Sequence, residues 1–224
     1  AIEFGVTFNH SSNAGDIVWF ETRHYMVQTE SNVFPHPQIR YSSPPDGPEV
    51  IISPITVENK CQVLVTYPNM NQGGEDLITL YLIDSQGTSI EVGTLPGLDG
   101  GTVTFNISNE LVGAAINTTI QFQYEVILGR GGQGSSEVQI VHVQAIPLGS
   151  LPRAFINNIG NGGSINPASL TGNAVLRMGK WPYSQEGHIA WLIVSAPGAS
   201  TQELLVAHSV TASEAANGFI NLTV

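Results

Sequence analysis

Apolar and polar residues alternate along most of this chain with a period of two. In Thr119-Ile120-Gln121-Phe122-Gln123-Tyr124-Glu125-Val126 every second side chain is apolar, the mark of a strand with one face on a core and the other in water. Similar runs open the chain at GVTFN (5–9), DIVWFETRHYMV (16–27) and PQIRYS (37–42). EVIIS (49–53), QVLVTY (62–67), LITLYLID (77–84), SIEVGTL (89–95), TVTFNIS (102–108), TIQFQYEVIL (119–128) and SEVQIVHV (136–143) follow. The last group is RAFINN (153–158), AVLRMG (174–179), HIAWLIVS (188–195), TQELLVAH (201–208) and GFINLTV (218–224). Turns rich in Gly, Pro, Asn and Asp separate them at roughly ten-residue spacing, as in β-sandwiches. Helical periodicity is nearly absent. SNELVGAA (108–115), with Ser108 as cap, predicts one or two turns, and SEAANG (213–218) predicts one.

The pattern repeats. TYPNMNQGGEDLITLYLI (66–83) and KWPYSQEGHIAWLIV (180–194) each place an aromatic before Pro, then a polar Gly-containing stretch, then an apolar run with an aromatic before Leu. Val63-Leu64-Val65 aligns with Val175-Leu176-Arg177, and GTVTFNIS (101–108) with NGFINLTV (217–224). Two Pro/Gly-rich links, SSPPDGPE (42–49) and AIPLGSLPR (145–153), frame about 100 residues, the size of one sandwich. Before the first link, DIVWFETRHYMV resembles TTIQFQYEVIL (118–128), and PQIRYS resembles VQIVHV (138–143). The reading is therefore the last strands of a partial domain (1–44), one whole sandwich (45–147) and the first strands of a second, incomplete one (148–224).

At these residues the chain resembles the bacterial immunoglobulin-like repeats found in tandem in large surface and adhesin-type proteins. The resemblance rests on the aromatic-Pro turn, the Gly-containing loop, the aromatic-Leu strand and the Pro-rich links. It implies an all-β fold of tandem immunoglobulin-like β-sandwiches with incomplete domains at both chain ends. It also implies an extracellular or cell-surface stalk, spacer or adhesive role, with no catalytic residues to carry over. The Cys…Trp…Cys pattern of antibody domains is missing, as are DxD and DxNDN calcium linkers.

Composition narrows the partners. Charged residues make up only 11%, against roughly 25% in soluble domains. Seven Lys and Arg face 18 Asp and Glu, a net charge of −11. So few scattered cations build no nucleic-acid face, and the same balance disfavours an anionic membrane surface. No apolar run reaches the roughly 18–20 residues of a membrane helix. Cys61 is the single cysteine, which excludes an intrachain disulfide and reads as a small core residue.

Chemistry is sparse. GRGGQG (129–134) matches G-x-G-x-x-G, but a strand follows it where a dinucleotide site needs a helix N-terminus, so it reads as a hairpin loop. His10, His24, His36, His142, His188 and His208 have no metal-ligand spacing. Glu75-Asp76 and Asp99-Gly100-Gly101 are turn acids without the alternating oxygens of a calcium loop. No GxSxG elbow occurs. Lys60 and Lys180 flank turns and are poor candidates for a buried isopeptide. Asn9, Asn106, Asn117 and Asn221 stand in N-x-[ST] sequons. Trp181, Tyr183, Trp191 and Tyr67 read as core or turn aromatics, with a carbohydrate platform as the alternative. No enzyme activity, cofactor or metal is expected.

A sandwich that begins or stops part-way exposes strand edges that invite another chain. The expected function is therefore an extracellular structural protein that assembles head to tail by strand complementation. Its partners are other copies or adjoining immunoglobulin-like repeats. Val6, Phe8, Val18, Phe20 and Ile39 are the expected complementing residues, and Val175, Leu192, Leu205 and Ile220 line the acceptor. A stalk segment of one long covalent adhesin and a carbohydrate-binding module with a glycan or surface ligand are the alternatives.

Overall fold

The computed structural model describes residues 3–8, 12–22, 34–156, 159, 163, 175–195, 198, 200–217 and 219–223. The chain divides into two compact units, residues 1–32 and 33–224. Among the described residues of the first unit, β1 (Gly5–Val6) pairs antiparallel with β2 (Val18–Trp19), with Val6 opposite Val18. The ladder continues one residue further, where the Phe20 N–H donates to the Phe4 carbonyl at 2.8 Å and their rings lie 5.1 Å apart. Alternation along a strand therefore puts Phe4, Val6, Val18 and Phe20 on one face. Phe4, Val18 and Phe20 are 64%, 52% and 51% exposed. Both strands are shorter than their sequence runs, and 23–27 lie outside the described residues.

The second unit opens with a sandwich. Its strands are β3 (Gln38–Ile39), β4 (Glu49–Ile52), β5 (Gln62–Val65), β6 (Leu77–Ile83), β7 (Ser89–Pro96), β8 (Val103–Asn106), β9 (Thr119–Ile127), β10 (Gln133–Ser135) and β11 (Gln139–Val143). One sheet runs β4-β11-β9-β6-β7, with β10 also on β9; the other runs β3-β5-β8. Their inner faces meet in one core, where Val63 and Val65 of β5, Ile78, Leu80 and Leu82 of β6, and Ile120, Phe122, Tyr124 and Val126 of β9 are buried. These are the apolar members of the alternating runs. Burying a side chain of this size contributes about 1.5–3 kcal/mol each.

Two short helices close one pole. α1 (Pro54–Val57) starts on Pro54, whose fixed φ suits a first helical position, and sequence reading missed it. α2 (Asn109–Ala114) is the expected helix, with the Ser108 hydroxyl accepting from the Leu111 N–H at 3.3 Å. The Asn59 N–H donates to Asn109 Oδ1 at 2.9 Å, and Asn109 Nδ2 donates to Asn59 Oδ1 at 2.6 Å, tying the two helices together.

The expected boundary at 44/45 falls inside this sandwich. PQIRYS does not continue the preceding segment. Its β3 pairs with β5, Ile39 opposite Val63, and Ile39 is 1% exposed in the core beside buried Phe34. Ile39 is thus used within its own chain and is not free to complement another. A period of two shows which side chains face inward but not which strand is the neighbour, so the likeness to VQIVHV carried no pairing information.

The rest of the unit holds β12 (Phe155–Ile156), β13 (Val175–Gly179), β14 (Ile189–Val194), β15 (Gln202–Ser209), α3 (Ala212–Asn217) and β16 (Phe219–Thr223). The sheet β12-β13-β16 repeats the order of β3-β5-β8, and the hairpin β14-β15 repeats β6-β7. The backbone agrees in detail: the carbonyl before β6, of Asp76, accepts from Gly97 N–H at 2.8 Å, and the carbonyl before β14, of His188, accepts from Val210 N–H at 2.7 Å. Ala190, Val210 and Ile220 form a small core with Met178, Trp181, Leu205 and Ala215 packed against it.

The repeat is offset by one residue in β13. Leu176 is 5% exposed and Val175 39%, so Leu176, not Val175, matches the inward Val63. A one-residue slip inverts every side chain of a strand. β6 is flanked by β7 and β9, whereas β14 pairs, among the described residues, with β15 alone. α3 begins with a capping box: Glu214 N–H donates to Thr211 Oγ1 at 3.2 Å, and Thr211 N–H donates back to Glu214 Oε2 at 2.8 Å.

Candidate functional site

Three places around the aromatic-Pro turns concentrate unusual side chains. The first is the pole of the sandwich. Tyr67 donates its hydroxyl to Asp76 Oδ2 at 2.8 Å, where the Asn71 N–H also donates at 2.8 Å. Asp76 Oδ1 accepts from the Gly129 N–H at 2.9 Å, and Asn71 Oδ1 accepts from the Asp76 N–H at 2.9 Å. Asp76 is 1% exposed. Burial pushes its carboxyl up, but the Asn71 and Gly129 N–H groups, the Tyr67 hydroxyl and the charge of Arg130 outweigh that and hold it below the usual range. A Cβ on Gly129 would strike the Gly74–Glu75 backbone, so the glycines of NQGGED and GRGGQG let the two loops touch. Three donors converge on its two oxygens, so the Asp76 carboxylate fastens the turn and the neighbouring loop together.

The second place joins the sandwich to the strands that follow it. Tyr183 comes right after Trp181-Pro182, as Asn69 comes after Tyr67-Pro68, and both have φ of +61°. Asn tolerates that conformation; a bulky aromatic there is uncommon and persists only where its surroundings hold it. The Tyr183 ring enters the core of the first sandwich, 5% exposed, against Gly113 of α2. Its hydroxyl donates to the Pro54 carbonyl at 2.7 Å and its N–H donates to Glu58 Oε1 at 3.1 Å. Burial, then the nearby Cys61 and Glu58, push the phenol well above its ordinary value, keeping it a neutral donor. A cleft of about 280 Å³ runs alongside, lined by Glu58, Asn109, Lys180 and Gln185 among others.

The third place is a cleft of about 400 Å³ lined by Leu151, Pro152, Met178, Trp181, Leu192 and Ile193, with Trp191, Ala154 and Gly179 completing it. Trp181 stacks on His188, centroids 6.4 Å apart and planes 20° apart. Trp191 and Ile193 are 55% and 54% exposed.

The expected carbohydrate platform is dispersed: Tyr67 and Tyr183 are buried, and only Trp181 and Trp191 share a cleft. Of the expected acceptor residues, Leu192 and Ile220 are buried, Leu205 is half-buried and Val175 faces outward. Phe8 is 75% exposed. GRGGQG is the β9–β10 hairpin loop. Cys61 is buried, and burial pushes its thiol up to about 12. Lys60 and Lys180 are exposed, Lys60 lying 4.8 Å over the Tyr41 ring, so neither is a buried isopeptide lysine.

His142 bonds Glu49 at 2.7 Å and Thr119 at 2.9 Å, and His208 bonds Glu214 at 2.9 Å. His10, His24 and Asn9 lie outside the described residues. Among the described residues no group of three His, Cys, Asp or Glu is placed to hold a metal, and no helix is long and apolar enough to cross a membrane. Sequence reading missed the Tyr183 junction. The available signal was a large aromatic where the first repeat has a turn-forming Asn.

No protein-family model matches this chain, and no curated protein does. Four chains among solved structures match. One comes from a structural study of the host cell surface retention of a 1.5-MDa bacterial ice-binding adhesin. It is similar at 14% identity and a TM-score of 0.33 over 86% of this chain, and this chain spans 55% of its length. A likeness of that depth carries no argument about function here.

Proposed function

We propose that this chain is a non-enzymatic segment of an extracellular structural protein, a stalk of tandem immunoglobulin-like sandwiches of the adhesin type. The junction at Tyr183 makes successive sandwiches move as one body. The observation that carries the reading is this side chain of the second strand set built into the core of the first sandwich. The strand order supports the immunoglobulin-like assignment: β4-β11-β9-β6-β7 opposite β3-β5-β8 corresponds to an A′GFCC′ sheet facing an ABE sheet. The recurrence of β3-β5-β8 as β12-β13-β16 supports the tandem arrangement. The extracellular placement rests on the sequence resemblance. The non-enzymatic reading rests on the same resemblance, which brings no catalytic residues with it.

Small-angle scattering with a denaturant melt tests the junction. The native chain should scatter as a stiff particle, and Tyr183→Ala should broaden the distance distribution and separate the melt into two transitions. Identical profiles for both proteins would sink the reading.

A carbohydrate module is less well supported, because Tyr67 and Tyr183 are buried and, of the four expected platform aromatics, Trp181 and Trp191 alone share a cleft. One observation favours a second reading, head-to-tail assembly by strand complementation: among the described residues β14 pairs with β15 alone, where β6 also carries β9.

A further inference from the structure

We propose that the Tyr183 junction is a releasable clasp, closed at rest, whose opening frees the two strand sets from each other while each stays folded. This rests on the stalk reading above and names the point at which the stalk gives.

The junction is crossed by side chains rather than by a sheet. Among the described residues no strand of 155–223 pairs with a strand of 38–143, so no ladder of backbone hydrogen bonds spans it. The link between the sets closes on its own turn. There the Ser150 N–H donates to the Pro147 carbonyl at 2.8 Å and the Leu151 N–H to the Leu148 carbonyl at 3.2 Å. Leu148 is 87% exposed. Tyr183 crosses with its ring in the first core, its hydroxyl on Pro54 and its N–H on Glu58.

The closed state carries a strain of its own. Trp181-Pro182-Tyr183-Ser184 is a turn in which the Ser184 N–H donates to the Trp181 carbonyl at 3.1 Å. Pro stands at its second position, and Tyr183, at its third, has φ of +61°. Gly or Asn is the usual occupant there, as Asn69 is in the first repeat. A side chain as large as tyrosine is strained by that backbone. Burial of the ring offsets the strain only while the clasp is shut. Once the ring leaves the core, the backbone relaxes to the ordinary region. Strain and burial thus oppose each other at a single residue, which makes it a two-state element. The cleft alongside is lined by Glu58, Asn59, Lys180 and Gln185. Water in so polar a cleft is placed to take over both hydrogen bonds of Tyr183 when the ring withdraws.

The chain holds its own reporter of this opening. Cys61 is its single cysteine, 2% exposed, in the same core as Tyr183 and shortly after Glu58. A thiol buried this deeply is inert until it is uncovered.

The test labels Cys61 in the full chain with a disulfide-exchange reagent at about pH 8, over urea concentrations below the unfolding transition. Labelling should be slow, and its rate should rise with urea far less steeply than global unfolding does, as a local opening requires. Tyr183→Phe keeps the ring and loses only the bond to Pro54. It should label about fivefold faster with an unchanged circular dichroism spectrum. Tyr183→Asn suits the turn and removes the plug, and should label about a hundredfold faster. The Tyr183 amide should exchange with the same protection as the thiol. Native labelling at the speed of a free cysteine, a urea dependence equal to that of global unfolding, or a rate unchanged by Tyr183→Phe would each overturn the clasp. The stalk reading fails by a different measurement, the scattering of Tyr183→Ala, whatever the thiol rate.

Discussion

The two strand sets of the second unit use one plan and hold it differently. In the first sandwich the aromatic-Pro turn is fastened by a buried charge: Tyr67, Asn71 and Gly129 all donate to Asp76, just before β6. In the second set the residue just before β14 is His188, and the aromatic is Trp181, with no hydroxyl to give; the two rings stack. The first turn faces inward, and its aromatic closes its own core beside Phe34, whose ring lies 4.8 Å away edge-on. The second turn reaches outward, and Tyr183 closes its neighbour's core. The same backbone, with φ of +61° at the third position in both, serves as an internal lock or as a connector. The side chain placed on it decides which.

Breaking the lock should show the difference most strongly. Asp76→Ala leaves the Tyr67 hydroxyl and two N–H groups buried without an acceptor, and should cost the first sandwich about 3–5 kcal/mol in a urea melt. His188→Ala, at the matching position, should cost about 1 kcal/mol or less, because only one face of a partly exposed ring pair is lost. Equal losses at the two sites would mean that the two turns are held alike.

Breaking the connector comes next. Tyr183→Ala empties a buried aromatic site and should cost about 2–4 kcal/mol. That loss should appear in both strand sets, since each supplies one side of the contact. Tyr183→Phe removes only the bond to the Pro54 carbonyl and should cost about 1 kcal/mol.

Acid sharpens the contrast. The Asp76 carboxyl titrates below its ordinary value when folded, so the unfolded chain takes up its proton first as pH falls. The stability it contributes is full above the ordinary carboxylate range, about pH 4, and is lost as pH drops through the folded value. Asp76→Asn should flatten the stability of the first sandwich below about pH 4. Glu214, lowered chiefly by the Thr211 N–H and then by His208, should give the second set a weaker dependence of the same sign. The smallest effect belongs to the cap: Thr211→Ala should cost about 1 kcal/mol, measured as a shift in the second set alone.

Much of this plan was legible in the chain. The alternating runs located the strands, Ser108 and SEAANG located two helices, and the strand after GRGGQG marked that loop as a hairpin. The repeat of aromatic-Pro and aromatic-Leu pairs anticipated the repeat of pairings. These features are local: a strand's period, a cap and a turn are written within a few residues. The four-residue α1 has too few positions to show a period. Val175 was assigned inward because two repeats were aligned by residue type, which tolerates a one-residue slip that a pleated strand does not.

By itself, then, the sequence determined an all-β chain, where its strands and turns lie, and that one pattern occurs twice. Only the tertiary structure decided that β3 belongs to the sandwich after it, that β4 lies parallel to β11, that Asp76 is a buried lock, and that Tyr183 leaves its own repeat for the neighbouring core. Alternation specifies which side of a strand is apolar, and many strands satisfy that equally. Which of them become neighbours is settled by burial and hydrogen bonding among residues far apart in sequence, where a single hydroxyl or carboxylate with or without a partner is worth as much as a whole local preference.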